Sequence, residues 1–301
     1  MDILYAIIQG IIEGITEWLP ISSTGHMILA DSIIEKLNLI NLDKDFVEMF
    51  LVVIQLGAIL AVIILFWNKL WPFHLKGKQV TPYFNFDSLQ KNGGFKKFCN
   101  NYIYVERFIL WFKILIASIP AAILGLLFDD QIDAMLTGNF RAYVVAGALI
   151  VYGVLFIIIE SLSVKTKTED LSVLTYKTAF LIGAIQCLAL VPGTSRSGST
   201  ILGAVLLGLS RTAAAEFSFY LAVPAMVGGS GIKVLKYFLD GNTFNGDQII
   251  VLAVGMVVAF VISVLAIKFL LSYIRKNNFK VFGYYRIVLG IIVIAYFLLT
   301  K

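Results

Sequence analysis

Two short stretches of this chain collect the side chains that can do chemistry. Residues 9–26 hold Glu13, Glu17, Ser22, Ser23, Thr24 and His26, and residues 186–200 hold Ser195, Arg196, Ser197 and Thr200. Glu13 and Glu17 stand four apart, so on a helix they share one face and require a cation, a proton or an arginine beside them. His26 closes the run Ser22-Ser23-Thr24-Gly25-His26, and an imidazole that titrates near neutral pH suits proton transfer. Arg196 lies in Pro192-Gly-Thr-Ser195-Arg196-Ser197-Gly-Ser-Thr200, just ahead of an apolar run. Glycines admit a ligand to the backbone N–H groups, a helix N-terminus favours an anion, and a guanidinium grips phosphate through two parallel bonds. Ser22, Thr24, Ser195, Ser197 and Thr200 add hydroxyls for phosphate oxygens. Arg196 can equally neutralise Glu13 and Glu17, and the two roles are compatible. No Gly-Lys-Ser/Thr follows, so this is not a Walker loop. Cation-holding carboxylates beside an anion-binding loop suit phosphoryl transfer.

What must position these groups is a membrane protein. Of 301 residues 59% are hydrophobic and only 14% charged, against roughly 25% charged in soluble domains, and mean hydropathy is +0.88. Segments 46–67, 108–128, 140–160, 214–238, 248–272 and 283–300 are each long and apolar enough to span a bilayer as a helix. Stretches 3–35 and 178–209 differ. Each is interrupted by proline, glycine and hydroxyl residues, which remove backbone donors or compete for them, and neither half of either stretch is long enough to span. Both are expected to be re-entrant.

Lysines and arginines cluster between the first and second spans (Lys69, Lys76, Lys78, Lys91, Lys96, Lys97, Arg107), after the third (Lys165, Lys167, Lys177) and after the fifth (Arg275, Lys276, Lys280). Intervening loops carry Asp43, Asp45, Asp129, Asp130, Asp133, Asp240 and Asp247. The positive-inside rule puts the lysine loops in the cytoplasm and both termini outside. Parity then sends the first hairpin in from the outside and the second from the cytoplasm. The expected fold is all-α and polytopic: six transmembrane helices plus two opposed re-entrant hairpins, in a single domain built as an inverted-topology repeat (about 1–160 and 178–301). Glu48 and Glu216, each near the start of the span after a hairpin, and the echo of Pro20…Ser22-Ser23…Gly25 in Pro192…Ser195…Gly198 agree with that repeat.

Other features are read as structural. Residues 68–106 form a cytoplasmic loop with His74 on its surface; Gln9, Gln55 and Gln186 bridge helices or orient neighbours; Arg211 and Glu216 are interfacial. Pro224 with Gly228-Gly229 is expected to allow a kink and close packing. Cys99 and Cys187 lack metal-ligand spacing and are not expected to pair, and residues 3–12 lack a basic flank and cleavage site for a signal peptide. The net charge of +5 is assigned to loop lysines, so no nucleic-acid partner is expected.

At these residues the chain resembles the undecaprenyl-diphosphatase family of bacterial membrane proteins, also called bacitracin-resistance proteins. The resemblance rests on Glu13-Gly-Ile-Thr-Glu17-Trp-Leu-Pro-Ile-Ser22-Ser23-Thr24-Gly25-His26 and on Pro192 through Thr200. It continues in Ile54-Gln55-Leu56-Gly57, Gln186-Cys-Leu-Ala and Glu216-Phe-Ser-Phe…Ala222-Val-Pro224. It implies removal of the terminal phosphate from undecaprenyl diphosphate, in the bacterial plasma membrane, to regenerate the carrier of cell-wall synthesis. It also implies divalent-cation dependence at Glu13 and Glu17, catalytic positions at Ser23 and His26, a phosphate-binding motif at Ser195, Arg196 and Thr200, and a site opening outward. The partners expected are a polyprenyl diphosphate lipid, the membrane and a second copy in a homodimer. The attacking group is either Ser23 activated by His26 or a water activated by the same histidine. A polyprenyl-phosphate transporter or flippase on the same inverted repeat is the competing class.

Overall fold

A backbone inside hydrocarbon must close its own hydrogen bonds, and a helix does so within one segment. The computed structural model describes residues 2–36, 42–73, 102–128, 131, 140–162 and 164–299. Most of the 68–106 loop, with His74 and Cys99, lies outside the described residues, as do Asp129, Asp130 and Asp133. The long helices are α1 (Asp2–Thr16), α2 (Ser23–Lys36), α3 (Lys44–Leu65), α4 (Val105–Leu127), α5 (Arg141–Ser161), α6 (Tyr176–Gln186), α7 (Arg196–Leu206), α8 (Arg211–Leu239), α9 (Gly246–Ile274) and α10 (Lys280–Leu299). Six of them, α3, α4, α5, α8, α9 and α10, are long and apolar enough to cross a membrane, and they fall on the six segments that hydropathy marks. α8 and α9 start earlier than hydropathy suggests because polar residues cap them. Ser210 accepts from the Ala213 amide at 3.2 Å, and Asn245 with Gln248 forms a reciprocal capping box.

Each interrupted stretch forms two short helices joined by a turn, α1–α2 and α6–α7. Their lengths of 15, 14, 11 and 11 residues fall below the ~20 a span requires. The turns share a device. Ser22 and Ser195 hold positive φ, 74° and 73°, a region that residues with a Cβ seldom visit. The Oγ of each then accepts from the amide three residues on, Gly25 at 3.4 Å and Gly198 at 3.2 Å. A serine therefore ends the interruption and caps the next helix in both hairpins.

Apolar helices in lipid associate by close packing rather than by escaping water, which favours small residues at their crossings. α1 lies along α9, α6 along α4, α5 along α10, and α3 against both α8 and α9. A Cβ built on Gly183 would sit 1.9 Å from the Ala117 carbonyl oxygen, and one on Gly57 would sit 2.2 Å from that of Met256. Gly228 and Gly229 do not behave as expected. A Cβ on either meets nothing within 4 Å, so their small size serves no close crossing among the described residues, and α8 runs unbroken through Pro224.

Polar ties hold the helix ends. Arg211 donates to both oxygens of Glu160, which also accepts from the Phe279 amide, joining α5, α8 and the start of α10. Lys113 turns its buried ammonium onto the carbonyls of Leu171 and Ser172. Gly183→Ala should cost about 1–3 kcal/mol through overpacking, read as a lower thermal midpoint in detergent. Gly228→Ala, into open space, should stay within about 0.5 kcal/mol of wild type.

Candidate active site

The tips of the two hairpins meet. Arg196, first residue of α7, donates from Nε and Nη2 to Oε1 of Glu17 at 3.1 and 3.0 Å, across 179 residues of sequence. Its Nη1 donates to the Ser218 carbonyl of α8 at 2.7 Å, and its guanidinium lies 5.9 Å from the centre of the Trp18 ring. A guanidinium has five N–H donors; these bonds engage three and leave one each on Nη1 and Nη2. Ser197 adds a second link between the hairpins, donating to the Leu19 carbonyl at 3.5 Å.

The other oxygen of Glu17 accepts from Ser23 Oγ at 3.3 Å. The turn at Ser22 makes this possible, because it sets the first residue of α2 beside the end of α1. Glu13, one turn before Glu17, is fully buried, and neither of its oxygens has a hydrogen-bond donor. Glu17 is thus occupied by Arg196 and Ser23, while Glu13 keeps all its acceptors.

His26 makes its hydrogen bonds to groups other than Ser23. Its Nδ1 lies 2.7 Å from the Ser22 carbonyl one turn back, and its Nε2 lies 2.7 Å from the Tyr285 hydroxyl of α10. Nδ1 must carry the proton to bond a carbonyl, so Nε2 accepts from tyrosine in the neutral ring. The imidazole also stacks on Tyr285, with centroids 5.7 Å apart. Ser23 finds its carboxylate partner in Glu17 instead.

The remaining hydroxyls divide by environment. Ser22 and Ser195 are helix caps, and Ser195 Oγ also lies 3.2 Å from Ser197 Oγ. Thr24 is half-buried on the first turn of α2. Thr200 is fully buried; its hydroxyl bonds the Arg196 and Ser197 carbonyls and the Ser218 hydroxyl. It therefore sits behind Arg196, bracing the same Ser218 whose carbonyl holds the guanidinium.

The sequence reading missed Arg286. This fully buried arginine of α10 donates from Nη1 to the Pro20 carbonyl at 3.2 Å, and from Nη2 to the carbonyls of Gly193 at 2.9 Å and Thr194 at 2.8 Å. One cation thus pins both interruptions, with the Tyr152 ring 5.5 Å from its centre. The available signal was a lone arginine inside the apolar segment 283–300, because an ionisable residue at that depth marks a functional site by default.

A polar centre assembled from interrupted helices, in a chain with six helices long and apolar enough to cross a membrane, defines a multi-pass membrane protein. Residues 6–292 match the family described as Bacitracin resistance protein BacA. The protein named Undecaprenyl-diphosphatase from Enterococcus faecalis is 52% identical over 297 residues, covering 98% of this chain and 97% of that protein. A protein of the same name from Acetivibrio thermocellus is 51% identical over 305 residues, covering all of both chains. Undecaprenyl-diphosphatase 1 of Clostridioides difficile is 52% identical over 299 residues, covering 99% of this chain and 97% of that protein. The chain belongs to the bacitracin resistance protein BacA family.

Because Arg286 satisfies three carbonyls from its buried position, Arg286→Met should lower stability by about 3 kcal/mol or more, the scale for breaking buried bonds to a charge. Thermal unfolding in detergent checks this; a midpoint like that of wild type would show that the turns hold without it.

Proposed function

We propose that this chain is an undecaprenyl-diphosphate phosphatase, which hydrolyses undecaprenyl diphosphate to undecaprenyl phosphate and inorganic phosphate and so recycles the lipid carrier of cell-wall synthesis. The observation that carries this reading is the arrangement of Arg196 and Ser23 on opposite oxygens of Glu17. It sets a guanidinium, a nucleophile and a base within one cluster. Near-identical length and about half-identity to relatives named Undecaprenyl-diphosphatase support the substrate.

In this mechanism Arg196 offers its two unengaged N–H donors to the terminal phosphate, and the hydroxyls of Ser195 and Ser197 beside it, with those of Ser22 and Thr24 across the turn, hold further oxygens. Attraction of Arg196 toward the phosphate loosens its grip on Glu17 just as a base is needed. Ser23 Oγ attacks the terminal phosphorus and its proton passes to Glu17. The bond between that phosphorus and the bridging oxygen breaks, and its electron pair leaves on undecaprenyl phosphate. Water then attacks the phosphoserine phosphorus as its bond to Ser23 Oγ breaks; Oγ takes back the proton held by Glu17, and the protons of the water leave with the inorganic phosphate. We assign His26, held in one tautomer by Ser22 and facing Tyr285, to proton exchange at the mouth rather than to Ser23. Thr200 positions Arg196 through Ser218. Glu13, with two buried and undonated oxygens, fits a divalent cation, with Glu17 contributing at its edge. Such an ion, when bound, neutralises charge on the diphosphate.

The same reading takes α1–α2 and α6–α7 as re-entrant hairpins entering from opposite faces, related by an inverted repeat, with the lysine loops cytoplasmic. Paired features support it. The turn serines match in φ and in capping. α1 lies on α9 as α6 lies on α4. Glu48 of α3 pairs with Lys233 late in α8, and Glu216 early in α8 pairs with Lys69 beyond α3.

Purified protein in detergent, given a polyprenyl diphosphate and Mg²⁺ or Ca²⁺, should release inorganic phosphate. Ser23→Ala should abolish turnover; wild-type turnover would remove serine from the mechanism. Arg196→Lys, a point charge replacing a fork, should lower kcat/KM by about 10²-fold or more, and unchanged kinetics would refute its phosphate role.

A further inference from the structure

The face of α1 that carries Glu13 and Glu17 extends one turn further back, to Gln9. All three sit four residues apart, on successive turns of one stripe. Gln9 is fully buried, and its Nε2 donates to Oδ1 of Asp31 on α2 at 2.6 Å. That same carboxylate oxygen accepts from the Tyr5 hydroxyl at 3.2 Å. The bond to Asp31 settles which way the amide is turned, since the flipped amide would set a carbonyl oxygen against a carboxylate. Oε1 of Gln9 is therefore directed elsewhere, and it is buried with no donor. One turn on, both oxygens of Glu13 are in the same condition.

Three buried acceptors on adjoining turns, with no donor among them, amount to a local excess of negative potential in a medium that does not tolerate it. Among the described residues no group of three or more His, Cys, Asp and Glu is placed to hold a metal ion, so carboxylates and imidazoles alone do not complete a site here. An amide carbonyl is a regular oxygen ligand for a hard divalent cation. We propose that Gln9 Oε1 and the Glu13 carboxylate together hold the divalent cation, and that Asp31, by gripping the other end of the amide, is the residue that presents Gln9 to it. The ion would then lie at Glu13, with Glu17 between it and Arg196, so that the carboxylate of Glu17 separates the two positive charges. The inference rests on the reading that the site uses a divalent cation, and it deepens that reading by naming a neutral ligand and a carboxylate that positions it.

Mn²⁺ binding to the full chain in detergent, without substrate, followed by electron paramagnetic resonance of the free ion, tests this separately from turnover. Wild type should bind one Mn²⁺ with a Kd that Glu13→Gln raises beyond measurement. Gln9→Leu, which keeps bulk and removes the oxygen, should raise Kd tenfold or more. Asp31→Asn should raise it by about 10–100-fold, the usual cost of losing a group that orients a ligand. The double variant Gln9→Glu with Asp31→Asn reverses the donor and acceptor between the two residues and restores an oxygen beside Glu13, so it should recover binding to near wild type; this also guards against misfolding of the single variants. If Gln9→Leu and Asp31→Asn bind Mn²⁺ as wild type does while Glu13→Gln does not, the proposal is overturned and the cation reading stands. If wild type binds no Mn²⁺, both fall.

Discussion

An arginine inside a bilayer-sized bundle must find acceptors for its donors, and most of this site follows from how two arginines do so. Arg196 takes a carboxylate from the other half of the chain and a carbonyl from α8. Arg286 takes three carbonyls and no acid. Those carbonyls exist only because the helices are interrupted: a continuous helix would have spent them on its own amides, whereas a helix end leaves its last carbonyls without partners. Each break thus creates the acceptors that a buried guanidinium requires, and the guanidinium supplies what makes the break tolerable in an apolar interior. The amides left at the start of α2 and α7 are met by the turn serines. The breaks and the arginines thus satisfy each other's hydrogen-bonding needs.

The pairing also sorts hydroxyls that look alike in sequence. Six serines and threonines crowd residues 22–24 and 194–197, and more follow in the first turn of α7. Those on α7 that point back along the helix, Ser199 and Thr200, bond carbonyls of the previous turn, the usual resort of a hydroxyl with no water. Ser22 and Ser195 are used as caps. Ser23 is the one whose hydroxyl meets a carboxylate, because the positive φ of Ser22 swings it toward the end of α1. Backbone geometry rather than residue type singles out this one hydroxyl for the carboxylate.

Glu13 and Glu17, adjacent on one face and identical in chemistry, are made different by what surrounds them. Glu17 has a guanidinium on one oxygen and a hydroxyl on the other, whereas Glu13 has neither. Like charges so close require different partners, and the packing of α7 against the end of α1 delivers a cation to only one of them. The stripe continues to Gln9 and Asp31, which lie outside the longer motifs and take their place from the α1–α2 contact.

Much of this was legible in the amino-acid sequence. Six spans were readable because bilayer thickness sets helix length, and the two interruptions because proline, glycine and serine cannot continue a helix in apolar surroundings. Glu13, Glu17 and Arg196 stood out because charge at that depth is costly, and Ser23 stood out through the family resemblance. Tertiary structure decided their partners. Glu17 and Arg196 are separated by 179 positions, and no local pattern states that they touch; the separate employment of His26 by Ser22 and Tyr285 is equally invisible. Arg286 was overlooked because its partners are backbone carbonyls, which every residue carries and which therefore leave no mark in sequence. Side-chain chemistry is written residue by residue, but a hydrogen bond to the backbone is specified only when the chain has folded to bring a broken helix within reach.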